Sequence, residues 1–229
     1  MYWINRVGGP MARIIFVRHN ETVWNAENRI QGQLDIELSE FGEKQAEILS
    51  DALNDFEFDI LYSSPLKRAI KTSEIICKKR TPMQIAPELA EIFLGPWQGL
   101  TVDEVKKGFI DEYKSFRESP ELYESNGMET LQDLGERFSE FIKKIMYHEN
   151  KLYCVVSHGT AMRAGLAKLI FGDVKYMNNL VFENGSITEV DFHIYEGEIT
   201  PVIYKLNDTG HFLKTNGDRS STKILMGVI

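Results

Sequence analysis

Two histidines follow short apolar segments in this 229-residue sequence. One residue separates His19 from the segment Ala12–Val17, and one residue separates His158 from the segment Leu152–Val156. Continuous apolar segments of this length are typical of buried strands, and ligands of open α/β sheets bind just beyond the carboxyl ends of such strands. A neutral imidazole is a capable nucleophile near pH 7. We therefore expect these two imidazoles to meet in one pocket, and we interpret the other histidines as ordinary surface or core residues.

The rest of the pattern predicts the elements that would position these residues. Short apolar segments alternate with amphipathic stretches of helical length, which indicates an α/β fold: a single three-layer domain whose mixed, mostly parallel sheet is flanked by helices. The expected elements, in chain order after the first strand, are a helix from a Ser39 cap to about Asn54, a strand over Phe58–Tyr62, a helix opened by Ser64-Pro65, a strand at Met83–Ala86, a helix after a Thr130 cap, the strand Leu152–Val156, a helix over Thr160–Phe171, and a hairpin of Ser186–Phe192 with Thr200–Leu206.

Charge and cysteine content exclude several classes of protein. The chain carries 26 basic and 34 acidic residues, a net charge of −8, which argues against nucleic acid as a partner because phosphate backbones are bound by clustered Lys and Arg. Cys77 and Cys154 show no CxxC spacing, so neither a disulfide scaffold nor a metal site is expected. No apolar segment approaches the ~20 residues of a membrane span. We expect a cytoplasmic protein with no membrane partner.

The regular strand pattern begins only at Ala12. Residues 1–11 are therefore expected to be a leader or extra N-terminal residues, the catalytic domain is expected over 12–215, and residues 216–229 are expected to form a C-terminal tail. The sequence leaves open whether the domain forms a homodimer.

Four ordered segments resemble the signatures of the histidine phosphatase superfamily, whose best-known branch is the cofactor-dependent phosphoglycerate mutases. They are RHNETVWN at Arg18–Asn25, SSPLKRAIKT at Ser63–Thr72, EIFLGPWQG at Glu91–Gly99 and SHGTAMR at Ser157–Arg163. A lone Arg-His pair is weak evidence, whereas four segments in the family's order are specific. The resemblance implies a small phosphorylated substrate, and neither a metal nor another cofactor.

The resemblance also implies catalytic roles for five residues. His19 is the expected nucleophile, which forms a phosphohistidine and so splits one difficult step into two. Arg18 and Arg68 are expected to neutralise the phosphoryl oxygens with their planar, permanently charged guanidinium groups. His158 is expected to donate to an equatorial oxygen, and Glu91 to give the leaving group its proton.

Five further positions are implied as substrate-binding: Asn20, Asn25, Gln31, Gly32 and Gly159. Asn25 would supply an amide donor, and Gln31 with Gly32 matches a family loop over the pocket. Asn20 stands where the family usually has glycine. If that position requires a positive φ, asparagine is the least costly replacement.

The segment after the Glu91 signature favours a phosphatase over a mutase. Only 58 residues separate Gly99 from His158, fewer than in the mutases, and Val102 stands where the mutase pattern has lysine. The expected helical lid, about 100–130, holds eight acidic and four basic residues between Leu100 and Thr130. Its aromatic residues are expected either to line the pocket mouth, which would favour esters with an apolar body, or to belong to ordinary lid helices; they are Phe109, Tyr113, Phe116 and Tyr123.

The sequence thus predicts a metal-independent phosphatase that hydrolyses small phosphate monoesters through a phosphohistidine. The alternatives are a phosphoglycerate mutase, a ribazole-phosphate phosphatase, a sugar-bisphosphate phosphatase, and a phosphate-binding regulator whose catalysis is weakened by Asn20. Intact His19, Glu91 and His158 argue against the regulator, because a binding protein needs no proton donor.

Overall fold

Six strands form one sheet in the part of the chain that the computed structural model describes, residues 11–78, 81–124, 127–147 and 151–213. The expected leader, apart from Met11, and the expected tail lie outside the described residues. The strands are β1 (Ala12–Arg18), β2 (Ile60–Ser63), β3 (Met83–Ile85), β4 (Lys151–Ser157), β5 (Ile187–Tyr195) and β6 (Glu198–Asp208). The helices are α1 (Val23–Ala26), α2 (Glu40–Ala52), α3 (Lys67–Cys77), α4 (Val102–Gly108), α5 (Ile110–Glu118), α6 (Leu131–Met146), α7 (Gly159–Phe171) and α8 (Gly210–Leu213).

The strand order is β3-β2-β4-β1-β5-β6. β3, β2, β4 and β1 run parallel to their neighbours, and β5 and β6 add an antiparallel hairpin at one side. Both hairpin strands extend beyond their expected ranges. The prediction of a mixed, mostly parallel sheet is confirmed. Within the described residues, no helix combines the length and the apolar character needed to cross a bilayer.

Helices cover both faces of the sheet. On one face, Leu49 of α2 and Ala69 of α3 pack with Ile15 of β1 in a buried apolar cluster. On the other face, Phe138 of α6 stacks on Phe16 of β1 at a centroid distance of 6.3 Å. Burying apolar side chains on both faces of a sheet stabilises a three-layer domain. The central strands therefore have continuous apolar sequences.

Local capping chemistry sets most helix boundaries as expected. Ser39 Oγ accepts the N–H of Gly42 at the start of α2, and Thr130 Oγ1 accepts the N–H of Asp133 at the start of α6. Gly172, with φ of 79°, ends α7. These three boundary predictions are confirmed.

The start of α3 differs from its prediction. The N-cap is Leu66, which caps without a side-chain hydrogen bond, and Ser64 and Pro65 lie before the helix. The prediction that Ser64 is the N-cap is wrong, because the helix begins after Leu66; Ser64 Oγ accepts the N–H of Leu66, outside the helix, and contacts the ring of His158. Arg68 is the second residue of α3 and is almost fully buried.

The expected lid contains two short helices, α4 and α5, packed around Trp97. The indole ring lies 5.6 to 6.4 Å, centroid to centroid, from the rings of Phe109, Tyr113, Phe116 and Tyr123. The interpretation of these four side chains as a pocket lining is wrong: they cover a fully buried indole, and three of them are themselves buried. The expected preference for esters with an apolar body loses its basis with them.

The contact between α6 and α7 generates a stability prediction. A Cβ on Gly165 of α7 would overlap the ring of Phe138, whereas a Cβ on exposed Gly108 of α4 would meet no atom within 4 Å. Gly165→Ala should lower the free energy of unfolding by about 1–3 kcal/mol through overpacking. Gly108→Ala should be neutral or stabilising by up to about 1 kcal/mol because alanine favours helix. Urea denaturation followed by circular dichroism measures both; equal stability of the two variants would contradict the predicted close packing.

Candidate active site

Three adjacent parallel strands deliver the central residues of the site to one edge of the sheet. Ser63 of β2 is in register with Val156 of β4, and Arg18 of β1 is in register with Ser157. The residues that directly follow β2, β4 and β1 are Ser64, His158 and His19, and the register places all three at the same end of the sheet. The structure brings the two imidazoles together, with ring centroids 5.0 Å apart.

The ring of His19 is held in one tautomer. Its Nδ1 lies 2.7 Å from the carbonyl oxygen of Asn20, and because a carbonyl can only accept, Nδ1 carries the proton. The lone pair is then on Nε2. Burial and the positive charges of Arg68 and Arg18 hold the pKa of His19 well below 6.5, so the ring is uncharged at neutral pH. His19 is 3% exposed. This is the state in which an imidazole is nucleophilic.

His158 is bonded at both ring nitrogens. The Nε of Arg68 donates to Nδ1 at 3.2 Å, and Nε2 lies 2.7 Å from Ser64 Oγ. Burial, followed by the charge of Arg68, holds the pKa of His158 well below 6.5. The second imidazole is therefore also neutral here, and its Nδ1 accepts from Arg68.

Arg68 is a buried cation with neutral hydrogen-bond acceptors. Its Nη2 donates to the carbonyl of Gly32 at 2.7 Å and its Nη1 to that of Leu34 at 2.8 Å. Burial lowers the pKa of Arg68 to about 10, and the charges of Glu91 and Asp35 offset only part of that effect. Arg68 is 1% exposed. A buried charge whose direct partners are all neutral is a costly arrangement, which an anionic ligand would relieve.

Arg18 is partly exposed, but its hydrogen-bond partner is also neutral. Its Nη1 donates to the carbonyl of Phe182 at 2.6 Å, while its buried Nε has no protein partner among the described residues. Burial lowers the pKa of Arg18 as well. Gly159 makes room for this guanidinium, since a Cβ there would lie 3.3 Å from Cζ of Arg18. The site therefore combines two guanidinium groups with two neutral imidazoles.

Glu91 lies at the first turn of α7. Its carboxylate accepts the backbone N–H groups of Thr160 and Ala161, at 3.1 and 2.9 Å, and that of Ile92 at 2.9 Å. Helix N-termini favour negative groups in this position. Arg137 of α6 fixes the backbone of this segment by donating to the carbonyls of Ala90 and Glu91. Hydrogen bonds thus hold both the carboxylate of Glu91 and its backbone.

Asn20 does not have the positive φ that its place in the family pattern made conceivable. It is absent from the described non-glycine residues with positive φ, which are Asn28, Lys78, Glu196 and Asn207. The reading of Asn20 as a positive-φ replacement for glycine is wrong. Its side chain is fully buried and packs towards Gly185, where an added Cβ would lie 2.5 Å from Asn20 Nδ2. Both amide atoms lack a hydrogen-bond partner among the described residues.

The other expected binding residues have identifiable contacts. Asn25 Oδ1 accepts from the backbone N–H and hydroxyl of Thr22, at 3.0 and 2.9 Å. Gly32, with φ of 52°, leaves space for the amide of Gln98 and presents its carbonyl to Arg68. Gln31 is buried, and its Oε1 has no described partner. The Gln31–Gly32 loop therefore positions Arg68, a role that the sequence did not suggest.

Several contributing residues were missed in the sequence. Thr72 Oγ1 accepts the N–H of Asn20 at 3.2 Å and donates to the carbonyl of Arg68 at 2.8 Å, so it joins the His19 loop to α3. Asn184 Nδ2 donates to the carbonyl of His19 at 2.9 Å. Ser64 carried a usable signal, because it follows a strand as the two histidines do. Thr72 and Asn184 carried none, since their partners are remote in sequence.

Metal ligation is not suggested by the described residues, which contain no group of three or more His, Cys, Asp or Glu arranged to hold an ion. The fit that the site does show is for an anion, through the unpartnered Nε of Arg18 and the neutral acceptors of Arg68.

Comparisons with known proteins agree with this geometry. The histidine phosphatase superfamily (branch 1) profile matches residues 14–205. Phosphoserine phosphatase 1 of Hydrogenobacter thermophilus is 35% identical over 203 residues, which cover 88% of this chain and 94% of that protein. The metal-independent phosphoserine phosphatase of Arabidopsis thaliana is 35% identical over 164 residues, 69% of each chain. A solved structure of an Entamoeba histolytica phosphoserine phosphatase mutant with phosphoserine is 29% identical, with a TM-score of 0.77 over 88% of this chain and all of that one.

The two arginines generate a binding prediction. Inorganic phosphate should raise the melting temperature, by an amount equivalent to about 1.4 kcal/mol at ten times its dissociation constant. Arg68→Met should abolish this shift while leaving the ligand-free protein folded, because methionine fills similar space without a charge. Differential scanning calorimetry with and without phosphate measures both effects. Lys67→Met, at the exposed neighbouring position, is the control; an unchanged phosphate effect in Arg68→Met would contradict the anion site.

Proposed function

The chain belongs to the histidine phosphatase superfamily and is a phosphoric monoester hydrolase of that type, and we propose that it acts through a phosphohistidine formed on His19. One observation carries this proposal: a neutral, buried imidazole with its lone pair on Nε2 lies in the field of two guanidinium groups, buried Arg68 and partly exposed Arg18, whose acceptors are neutral. Such a site attracts a phosphoryl dianion and presents a nucleophile to it.

In the first step, Nε2 of His19 attacks the phosphorus and the bond from phosphorus to the ester oxygen breaks. Glu91, in its acid form, gives its proton to that oxygen, so that an alcohol leaves. Arg18 and Arg68 bind the non-bridging oxygens, whose charge is redistributed in the transition state. The Nδ1–H of His19 stays hydrogen-bonded to the carbonyl oxygen of Asn20, which stabilises the positive charge that develops on the ring.

In the second step, water replaces the alcohol. The Glu91 carboxylate takes a proton from a water molecule while the oxygen of that water attacks the phosphorus, and the phosphorus–nitrogen bond breaks. Phosphate leaves, and His19 and the acid form of Glu91 are restored. The three backbone N–H groups around Glu91 hold the carboxylate in place through both steps. No metal ion takes part in this proposal.

Asn25 and Gly159 complete the proposed binding set. Because Asn25 Oδ1 is occupied by Thr22, its Nδ2 is the atom left to donate to a phosphoryl oxygen. Gly159 allows Arg18 to lie against the first turn of α7. The buried side chain of Asn20 packs towards Gly185, so we do not assign it a contact with phosphate, and the alternative of a weakened regulator loses its motive.

For the substrate, we propose a small monoester of a primary alcohol, of the size of phosphoserine. The nearly complete burial of His19, His158 and Arg68 favours a phosphate on an unbranched carbon, because a branched one would be obstructed before reaching Nε2. Phosphoserine phosphatases among the relatives support this class. A mutase is less well supported, since Val102, where mutases have lysine, is buried in the core.

The nucleophile prediction is tested by trapping. Rapid mixing with radiolabelled substrate should leave acid-labile, base-stable phosphate on the protein, as a phosphorus–nitrogen bond requires, and His19→Gln should lose both the label and turnover. The control is His193→Gln, which removes a buried histidine of β5. Its neighbour Phe192 pairs with Ala12, at the end of β1 opposite to His19. Label retained in His19→Gln, or found on serine or cysteine, would refute the assignment.

The substrate prediction is tested with a matched pair of isomers in the presence of EDTA. Phosphoserine and 3-phosphoglycerate, both esters of a primary alcohol, should be hydrolysed with kcat/KM at least ~10-fold above that of 2-phosphoglycerate, the secondary isomer. Phosphate release is measured beside interconversion of the two glycerates. Equal hydrolysis of the isomers would contradict the primary-ester proposal, and interconversion faster than phosphate release would favour the mutase.

A further inference from the structure

We propose that Ser64 is a positioning residue for the reaction, because its Oγ accepts the Nε2–H of His158 and thereby turns Nδ1 of that ring towards the phosphoryl site. The proposal rests on the phosphohistidine reaction proposed above and adds a residue to it. It comes from the contacts of one fully buried serine directly after β2.

The hydrogen-bond partners of His158 leave only one position for its ring proton. A guanidinium can only donate, so the 3.2 Å contact from Arg68 Nε means that Nδ1 of His158 has no proton. If Ser64 also donated, both ring nitrogens would be acceptors, which would require an imidazolate anion. The 2.7 Å contact must therefore run from Nε2–H to Ser64 Oγ. His158 thus has the opposite tautomer from His19, whose proton is on Nδ1.

Ser64 is itself held in place by the backbone. Its N–H donates to the carbonyl of Val156 at 3.0 Å, as a continuation of the pairing between β2 and β4. Its carbonyl accepts from Ser63 Oγ at 2.9 Å, and its Oγ also accepts the N–H of Leu66 at 3.3 Å. The sheet contacts therefore fix the backbone of Ser64, and the N–H of Leu66 holds its Oγ beside the ring.

The fixed acceptor matters when phosphate is bound. To donate to a phosphoryl oxygen, Nδ1 of His158 needs a proton, which a monoester arriving as its monoanion can supply: the phosphoryl O–H bond breaks and the Nδ1–H bond forms. The ring is then an imidazolium with two N–H groups in a fully buried position. Ser64 satisfies Nε2–H and the phosphoryl oxygen satisfies Nδ1–H, while the Nε–H of Arg68 gives up Nδ1 and donates to a phosphoryl oxygen instead. Without Ser64, a buried N–H of a charged ring would be unpaired.

The charged and titratable groups that face His158 oppose this protonation in the ligand-free protein. His19 and Arg18 from the end of β1, Arg68 from α3 and Arg137 from α6 all lower the pKa of His158. The bound dianion and the Ser64 acceptor are the groups that favour the protonated ring. Removing Ser64 should therefore lower the pKa of His158 in the substrate complex, so that the protonated ring is lost at lower pH.

The tautomer is read directly in the ligand-free protein. A long-range proton–nitrogen correlation spectrum, assigned with His19→Gln and His158→Gln, should show the proton on Nε2 of His158 and on Nδ1 of His19. In Ser64→Ala the proton should stay on Nε2 of His158, because Arg68 still donates to Nδ1. Its signal should nevertheless move and exchange faster with solvent, because the bond to Oγ is lost, while the His19 signals are unchanged. A wild-type His158 protonated on Nδ1, or an Nε2–H signal that is the same in Ser64→Ala, would overturn the proposal whatever the reaction proves to be.

Kinetics supply the second readout. Ser64→Ala should lower kcat by about 10- to 100-fold and move the alkaline limb of the pH profile to lower pH. Ser64→Thr, which keeps the hydroxyl, should restore both. Ser73→Ala is the control, because it removes a buried hydroxyl of α3 whose one bond among the described residues is to the carbonyl of Ala69. Equal effects of Ser64→Ala and Ser73→Ala on the profile would overturn the positioning role; failure of the His19 trapping experiment alone would instead refute the nucleophile.

Discussion

Two arginine side chains bonded to neutral acceptors, one buried and one partly exposed, are the feature on which the rest of the site depends. Arg68 donates to two carbonyls and an imidazole, and Arg18 donates to one carbonyl with its Nε unpartnered among the described residues. Pairing them with carboxylates would stabilise the ligand-free protein and would also exclude phosphate. The observed arrangement keeps the positive charge for the ligand, at a cost that the surrounding fold must offset.

The same charges set the chemistry of the histidines. Burial and the field of Arg68 hold the pKa values of His19 and His158 below 6.5, so both rings are neutral before substrate binds. The two rings then have opposite tautomers: the carbonyl of Asn20 fixes the proton of His19 on Nδ1, and the Nε–H of Arg68 leaves that of His158 on Nε2, where Ser64 Oγ accepts it. One ring presents a lone pair for attack, and the other has a nitrogen ready to be protonated when the dianion arrives.

The helices α3 and α7 connect this edge of the sheet to the domain core. Thr72 ties the backbone of Asn20 to that of Arg68, so the nucleophile and one arginine move as one unit. The first turn of α7 holds the Glu91 carboxylate by backbone N–H groups, and Arg137 donates to the carbonyls of Ala90 and Glu91. The lid helices contribute differently, because their aromatic side chains enclose Trp97 and stabilise the segment that carries the Glu91 signature.

The sequence by itself determined the sheet, the helix caps at Ser39 and Thr130, and the two histidines at strand ends, because apolar periodicity, capping chemistry and strand polarity are local properties. The resemblance of four segments then indicated the family. Only the tertiary structure decided the backbone of Asn20, the bond between Ser64 and His158, the carbonyls that hold Arg68, and the burial of Tyr113 and Phe116 around Trp97. Each of these depends on contacts between residues far apart in sequence. A hydrogen-bond partner across 94 positions, as for Ser64 and His158, leaves no periodic or local signal, and it forms only once the register of β2 with β4 is fixed.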